Sequence, residues 1–382
     1  ACHFGSSQFS DRTVANSTPM FGLRRGASVA LVGVLTSTSV AEHGVPTCEH
    51  FHDEAGIVAL CAHDEQYSSG IDMIRYDPTS GAVICETSFP DSVKQAQLWP
   101  KGCNVGVDKE RQLYYAPTED GRIATVDAIT GIETSSVPMS TFTPGYAPAF
   151  GEWCPKAQRM YSVERYRTDP WTLVSLDPVT GNITKQFLVM DVSRSIDIKP
   201  CTGVVVGDYF VFRMEEFTSS GSSFLLGAVH LETLELSSLV AGEFAGDMAV
   251  DPLNLEHVFA TRGVVQSNGT IFVELLWISI PEGHVTTLVS VNTGDNVAAN
   301  QYHIPTNFVV NEDASEMWFV KRLDTDASYE WALVPAKVAA DRSTAVRDGG
   351  PYPLVDHRDL ATIYGRLTFE AANASRAVAV LV

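Results

Sequence analysis

Basic residues are scarce in this chain. Lys and Arg number 26 against 46 Asp and Glu, which gives a formal net charge of −20 at pH 7 over 382 residues. Nucleic acids and anionic membranes are bound by clustered Lys and Arg, so a nucleic-acid role is excluded and no membrane insertion is expected. No apolar run reaches the ~18–20 residues that a spanning helix needs. The paired Cys-x-x-Cys spacing of a structural zinc site is missing, as are G-x-S-x-G, H-E-x-x-H and a phosphate-binding loop. Disorder is excluded as well, because 45% of the residues are hydrophobic.

What is present begins with a turn written three times. Asp77-Pro78-Thr79-Ser80-Gly81, Asp127-Ala128-Ile129-Thr130-Gly131 and Asp177-Pro178-Val179-Thr180-Gly181 recur at a spacing of fifty. Each follows an alternating apolar run (Ile71 to Tyr76, Ile123 to Val126, Trp171 to Leu176) and precedes another. Asp bonds its own backbone in a tight turn, and Gly accepts positive φ at its end. Short strands at a period near fifty mark the blade of a propeller. A pair of β-sandwiches also has regular short strands, but a recurrence of two turn types at one period favours the propeller.

The second turn type lies between the first two strands of each unit, where an apolar strand ends in an acid or Asn. Gly106-Val107-Asp108 leads to Leu113-Tyr114-Tyr115, Ala249-Val250-Asp251 to His257-Val258-Phe259, and Val309-Val310-Asn311 to Met317-Trp318-Phe319. Weaker copies precede Ile57 (His52-Asp53) and Met160 (Trp153-Cys154). Units therefore start near residues 47, 103, 148, 200, 245 and 305, and Leu367 to Glu370 with Ala377 to Val380 opens a seventh that stops at two strands. Such a remainder would leave a long apolar edge. Val29 to Leu35 is suited to cover it, so residues 27–40 are expected as a strand in the sheet of 366–382. In general build, over nearly its whole length, the chain resembles a seven-bladed β-propeller. The resemblance implies an all-β fold of four-stranded antiparallel blades, the last closed by the N-terminal strand, with an arm at 1–26 and one propeller domain at 27–382. It implies no catalytic signature. Quinoprotein propellers have a Trp after each turn Gly, and this chain has none.

Seven Cys (2, 48, 61, 85, 103, 154 and 201) fall in the first 201 residues. Cys103 with Cys154, and Cys48 with Cys61, are the candidate disulfides, with one thiol left over from the odd count. Sequons stand at Asn16, Asn182, Asn268 and Asn373, and Asn182 is the leading glycosylation candidate because it follows the Thr180-Gly181 turn. Met20 to Ala41 imitates a secretory signal, but residues 27–40 within it are read as strand, and the start at Ala1 suggests a leader already removed. A secreted or cell-surface protein is expected.

The densest cluster of chemical groups is Cys48-Glu49-His50-Phe51-His52-Asp53-Glu54, followed by His63-Asp64-Glu65. On a strand, His50 and His52 share a face and His63 could join them on one metal, Zn in character. Asn311-Glu312-Asp313 and Asp324-Thr325-Asp326 offer oxygen ligands for Ca without the EF-hand pattern. Glu152, Glu164, Arg165 and Arg167, with Trp153 and Trp171, are candidates for a carbohydrate or anion surface. Loop capping is the simpler reading of the His cluster and exposed acidic hairpin turns that of the two acidic stretches, while alternating charges on an outer strand account equally well for the last group. The reading is a non-enzymatic scaffold, adhesion module or repeating structural subunit without a resident cofactor, whose partners are protein chains including copies of itself. The alternatives are a secreted metal-assisted hydrolase or lactonase-like enzyme at the propeller channel, and a carbohydrate or small-ligand module.

Overall fold

The computed structural model describes residues 48, 55–62, 71–88, 106–108, 110–118, 120–128, 130–140, 152–164, 170–190, 195–198, 203–219, 221–241, 243–296, 307–324, 329–354 and 362–370. Its strands run in chain order by blade. Blade 1 takes β1 (Gly56–Ala62), β2 (Ile71–Tyr76) and β3 (Val83–Ser88). Blade 2 is β4 (Gly106–Asp108), β5 (Leu113–Pro117), β6 (Arg122–Asp127) and β7 (Glu133–Pro138). Blade 3 is β8 (Glu152–Cys154), β9 (Arg159–Glu164), β10 (Thr172–Leu176) and β11 (Ile183–Phe187). Blade 4 has an interrupted first strand, β12 (Ser195–Ile198) and β13 (Val204–Val206), both paired to β14 (Tyr209–Thr218), then β15 (Gly221–His230) and β16 (Leu236–Ala241). Blade 5 is β17 (Glu243–Asp251), β18 (Asn254–Val265), β19 (Thr270–Ser279) and β20 (Val285–Asn296). Blade 6 is β21 (Asn307–Val310), β22 (Glu316–Asp324) and β23 (Tyr329–Val338), with β24 (Ala345–Arg347) and β25 (Tyr352–Pro353) both on β23. The last described strand, β26 (Thr362–Glu370), belongs to blade 1, whose order is β26-β1-β2-β3.

Six sheets of antiparallel strands are packed face to face, with one hydrophobic core in each seam. Val58, Met73 and Cys85 of blade 1 meet Tyr114 and Val126 of blade 2. Blades 2 and 3 share Tyr115, Ile123, Trp153 and Val174, and blades 3 and 4 share Tyr161, Leu173, Phe210 and Phe212. Leu226 and Val240 meet Val258 and Leu276 between blades 4 and 5, and Phe259 and Leu275 meet Phe308 and Met317 between 5 and 6. The sixth core returns to the start, with Val309, Trp318 and Leu333 against Ile57, Ile74 and Tyr76. A chain of seams that ends where it began is a closed ring: the protein is a six-bladed β-propeller. Each fully buried Leu, Ile, Val or Phe in these seams contributes about 1.5–3 kcal/mol.

The first strands of successive blades lie against one another, β4 with β8, β8 with β13, β13 with β17, β17 with β21 and β21 with β26. Successive residues along them serve opposite seams. Trp153 enters the core shared with blade 2 and Cys154 the core shared with blade 4, while Val309 faces blade 1 and Val310 faces blade 5. Side chains alternate across a strand, so a strand covered on both faces is apolar throughout.

The expected seventh blade is corrected. The six predicted units are the six blades, but the C-terminal remainder does not begin another. Its strand β26 pairs with β1, Phe369 opposite Ile57 and Ile363 opposite Cys61, and supplies the inner strand of blade 1. The expected N-terminal closure strand, residues 27–40, and the second C-terminal strand, 377–380, lie outside the described residues, as does the arm at 1–26. Among the described residues no helix is long and apolar enough to cross a membrane.

Candidate functional site

Every blade carries the same outer hairpin between its third and fourth strands. The N–H of its first residue donates to the carbonyl five residues on: Asp77 to Ala82, Asp127 to Ile132, Asp177 to Asn182, His230 to Glu235, Ser279 to His284 and Ala339 to Thr344, at 2.8–3.0 Å. In the three turns legible by sequence, Asp caps the loop. Asp77 Oδ1 accepts the Thr79 N–H and hydroxyl at 2.7 Å each, Asp127 Oδ1 the Thr130 N–H at 2.8 Å, and Asp177 Oδ1 the Val179 N–H at 2.9 Å. Burial works to raise the carboxyls of Asp77 and Asp177, but these donors outweigh it and hold both below the usual range. In blade 4 the cap is His230, whose Nδ1 accepts the Glu232 and Thr233 N–H groups at 3.2 and 3.1 Å. The positive-φ position, four residues on from the first, is Leu234 there and Gly in blades 1, 2, 3 and 5, whereas in blade 6 the positive φ falls one residue earlier, at Arg342.

These turns also join the blades. Each of the first five lies on the end of the preceding blade's outer strand. A Cβ on Gly283 would sit 2.9 Å from the Leu239 carbonyl oxygen, and one on Gly81 would sit 2.7 Å from that of Pro353. Blade 4 uses backbone bonds instead: Val189 N–H donates to Leu234 O at 2.8 Å and Leu236 N–H to Val189 O at 3.0 Å.

Blade 6 engages blade 5 through a side chain. Arg342 donates from Nε to Asp251 Oδ2 at 2.9 Å and from Nη2 to Asp251 Oδ1 at 3.2 Å. The side chains are 7% and 1% exposed. Arg342 also donates to the carbonyls of Ala314 and Ala339, 3.3 Å each, and of Asp313 at 3.4 Å. Asp251 further accepts the Trp277 indole N–H at 3.0 Å and the Leu253 N–H at 3.0 Å. Burial pushes the Asp251 carboxyl up, yet Arg342 and the other donors outweigh it and hold it below the usual range. His257 stacks on Trp277 with ring centroids 3.9 Å apart and planes 15° from parallel. Its Nδ1 is buried and, among the described residues, has no hydrogen-bond partner. Burial lowers its pKa against the pull of Asp251, Glu256 and Glu282. Each Asp251 oxygen accepts two donors, and through them Asp251, Arg342 and Trp277 lock the seam between blades 5 and 6. The assembly joins residues from 251 to 342 in the chain and has no sequence spacing that could announce it; only Asp251, as the end of a first strand, stood out.

Of the predicted site residues, His50, His52, His63, Cys103, Asn16 and Asn373 lie outside the described residues. Both disulfide pairings are corrected: Cys48 bonds Cys85, with Cα atoms 4.9 Å apart, and Cys154 is a buried free thiol in the core between blades 3 and 4. Cys61 lies on β1 opposite Asp72, whereas Cys48 lies along β3, where its N–H donates to Thr87 Oγ1 at 3.2 Å. The expected carbohydrate surface loses its aromatics, since Trp153 is 2% and Trp171 9% exposed. The Asn311–Asp313 oxygens cap backbone: Asn311 Oδ1 accepts the Glu316 N–H at 3.0 Å and Asp313 Oδ1 the Ser315 N–H at 2.9 Å. Among the described residues no three His, Cys, Asp or Glu gather as a metal site. Asn182 and Asn268 are both exposed.

No protein-family model matches the sequence, and no curated protein does. Similar solved structures include TolB of Acinetobacter baumannii, 11% identical, covering 85% of this chain and 68% of that one with a TM-score of 0.48. A provisionally assigned 6-phosphogluconolactonase of Bacteroides uniformis is 14% identical over 78% and 83% of the two chains, with a TM-score of 0.41. The β-propeller domain of Cps50 (Swd1) from Myceliophteria thermophila is 8% identical over 77% and 85%, with a TM-score of 0.40. None reaches a TM-score of 0.5, and they lend this chain neither an activity nor a partner.

Proposed function

We propose that this chain is a non-enzymatic β-propeller, secreted or at the cell surface, that presents its hairpins and outer strands to other protein chains as a scaffold. The observation that carries the reading is the use made of its most regularly placed acids. Asp77, Asp127 and Asp177 cap outer hairpins. Asp108 takes the Arg111 N–H at 3.2 Å and Asp251 the Leu253 N–H in inner ones. Polar groups committed to backbone donors make a stiff frame, on which exposed loops become recognition surfaces. The Cys48–Cys85 disulfide supports an oxidising compartment. The exposed sequon residues Asn182 and Asn268 agree with it. A net charge of −20 favours basic or cation-bridged partners.

The test is cross-linking of native material from its source, followed by identification of the joined peptides. Partner chains linked through hairpin or outer-strand residues are the expected result. Turnover of a lactone or ester that is abolished both by a chelator and by His50→Ala would overturn the reading in favour of a metal-assisted hydrolase.

A further inference from the structure

Strand β11 is the outer strand of blade 3, last in the order β8-β9-β10-β11, so among the described residues no further strand of the sheet covers its edge. It is also unusually open. Thr184, Lys185, Gln186 and Phe187 are exposed in succession, with only Ile183 buried, whereas β3, β7 and β16 alternate with half-buried or buried residues. Phe187 is 67% exposed, and the edge stays open until Val189, whose backbone bonds the blade 4 hairpin. An open, β-prone edge with an exposed aromatic side chain is a template for pairing with another chain, and folded proteins blunt such edges.

The means of blunting stands at its first residue. Asn182-Ile183-Thr184 is an acceptor sequon, and Asn182 ends the outer hairpin directly before β11. Asn182 is exposed. Its Oδ1 takes the Ser140 hydroxyl at 3.4 Å. Among the described residues its Nδ2 makes no hydrogen bond. From Asn182 to Phe187 is about 17 Å of extended chain, a length that a branched oligosaccharide spans. The other exposed sequon differs: Asn268 sits at the tip between β18 and β19, both paired on either side, with no bare edge to cover.

We propose that Asn182 carries an N-linked oligosaccharide and that this glycan shields the outer edge of β11. The step is a transfer from a lipid-linked oligosaccharyl diphosphate. Asn182 Nδ2 bonds to the sugar C1, the C1–O bond to the diphosphate breaks, and the amide proton is released with the lipid diphosphate. The proposal rests on the secretory reading above.

The experiment uses the full chain secreted from a eukaryotic host, with glycopeptide mass spectrometry, thiol mapping and light scattering. Asn182 is expected to be occupied and the protein monomeric. Asn182→Gln is expected to at least double the mass in solution, Asn268→Gln to leave it unchanged, and Phe187→Ser added to Asn182→Gln to restore the monomer. Native deglycosylation of already folded protein repeats the first comparison without a folding step. An unmodified Asn182 in protein with Cys48–Cys85 oxidised overturns the proposal alone, as does a glycan-free protein that remains monomeric. Reduced Cys48 and Cys85 with every sequon empty overturn the compartment reading and the proposal with it.

Discussion

Arg342 shows how much one side chain can hold. It adopts φ +57° one residue before the hairpin position that four of the other blades give to Gly, and donates to the Asp251 carboxylate across the seam between blades 5 and 6 and to three carbonyls of its own blade. Arg342→Met leaves Asp251 buried and uncompensated, and thermal or denaturant unfolding should register a loss of about 3–5 kcal/mol. Adding Asp251→Asn should recover part of it, because Asn311 already caps the equivalent hairpin of blade 6 as an amide. Beside this pair, His257 has a pKa depressed by burial. A depressed pKa means that the folded state favours neutral imidazole. Its contribution is therefore complete above the unfolded value of about 6.5 and is lost as pH falls through the lower folded value. Unfolding midpoints compared at pH 7 and pH 5 should show the wild type losing more stability than His257→Phe, which keeps a ring on Trp277. Asp251, also depressed, adds a second loss only below the ordinary carboxylate pKa.

The outer hairpin is the element that repeats most faithfully, and it explains what could be read from sequence. Three copies were legible because Asp and Gly advertise their conformations chemically. The other three are built on His230 and Leu234, Ser279 and Gly283, and Ala339 and Arg342, with the same backbone closure. Backbone geometry recurred where residue identity did not, so the period could not be followed past residue 181 by eye. The inner strands were located by their terminal acids, but their two-faced burial hid which seam each residue serves. The candidate site was the least legible, since Asp251, His257, Trp277 and Arg342 meet only after blades 5 and 6 pack. Gly283→Ala tests the element directly. It puts a Cβ at φ +71° against the Leu239 carbonyl, and should cost at least ~1–2 kcal/mol in chemical denaturation. A wild-type midpoint would show that the turn does not seat on blade 4.

At the scale of the molecule, closure rests on blade 1, which borrows its inner strand from the far end of the chain. The miscounted seventh blade came from the same fact, because a strand that completes an early sheet looks in sequence like the start of a late one. A chain ending before Thr362 should lose β26, bare the edge of β1 and aggregate on purification, as sedimentation would show. The Cys48–Cys85 bond spans 37 residues around the rest of that blade. In the chain-entropy account a loop of this size is worth about 4 kcal/mol, with 2–4 typical of measurement. Cys85→Ser should therefore lower the unfolding midpoint under non-reducing conditions and reduce its sensitivity to reductant. Order of synthesis gives the same arrangement a further meaning. Of the six blades, blade 1 is the first to leave the ribosome and the last to be finished, since its inner strand is translated after the strands of blades 2 to 6. At ~5–20 residues per second, its β1 edge waits roughly fifteen seconds to a minute for a partner. Both cysteines of the clasp emerge at the beginning of that wait, so an oxidising lumen could secure the incomplete blade long before the ring has an end to close it.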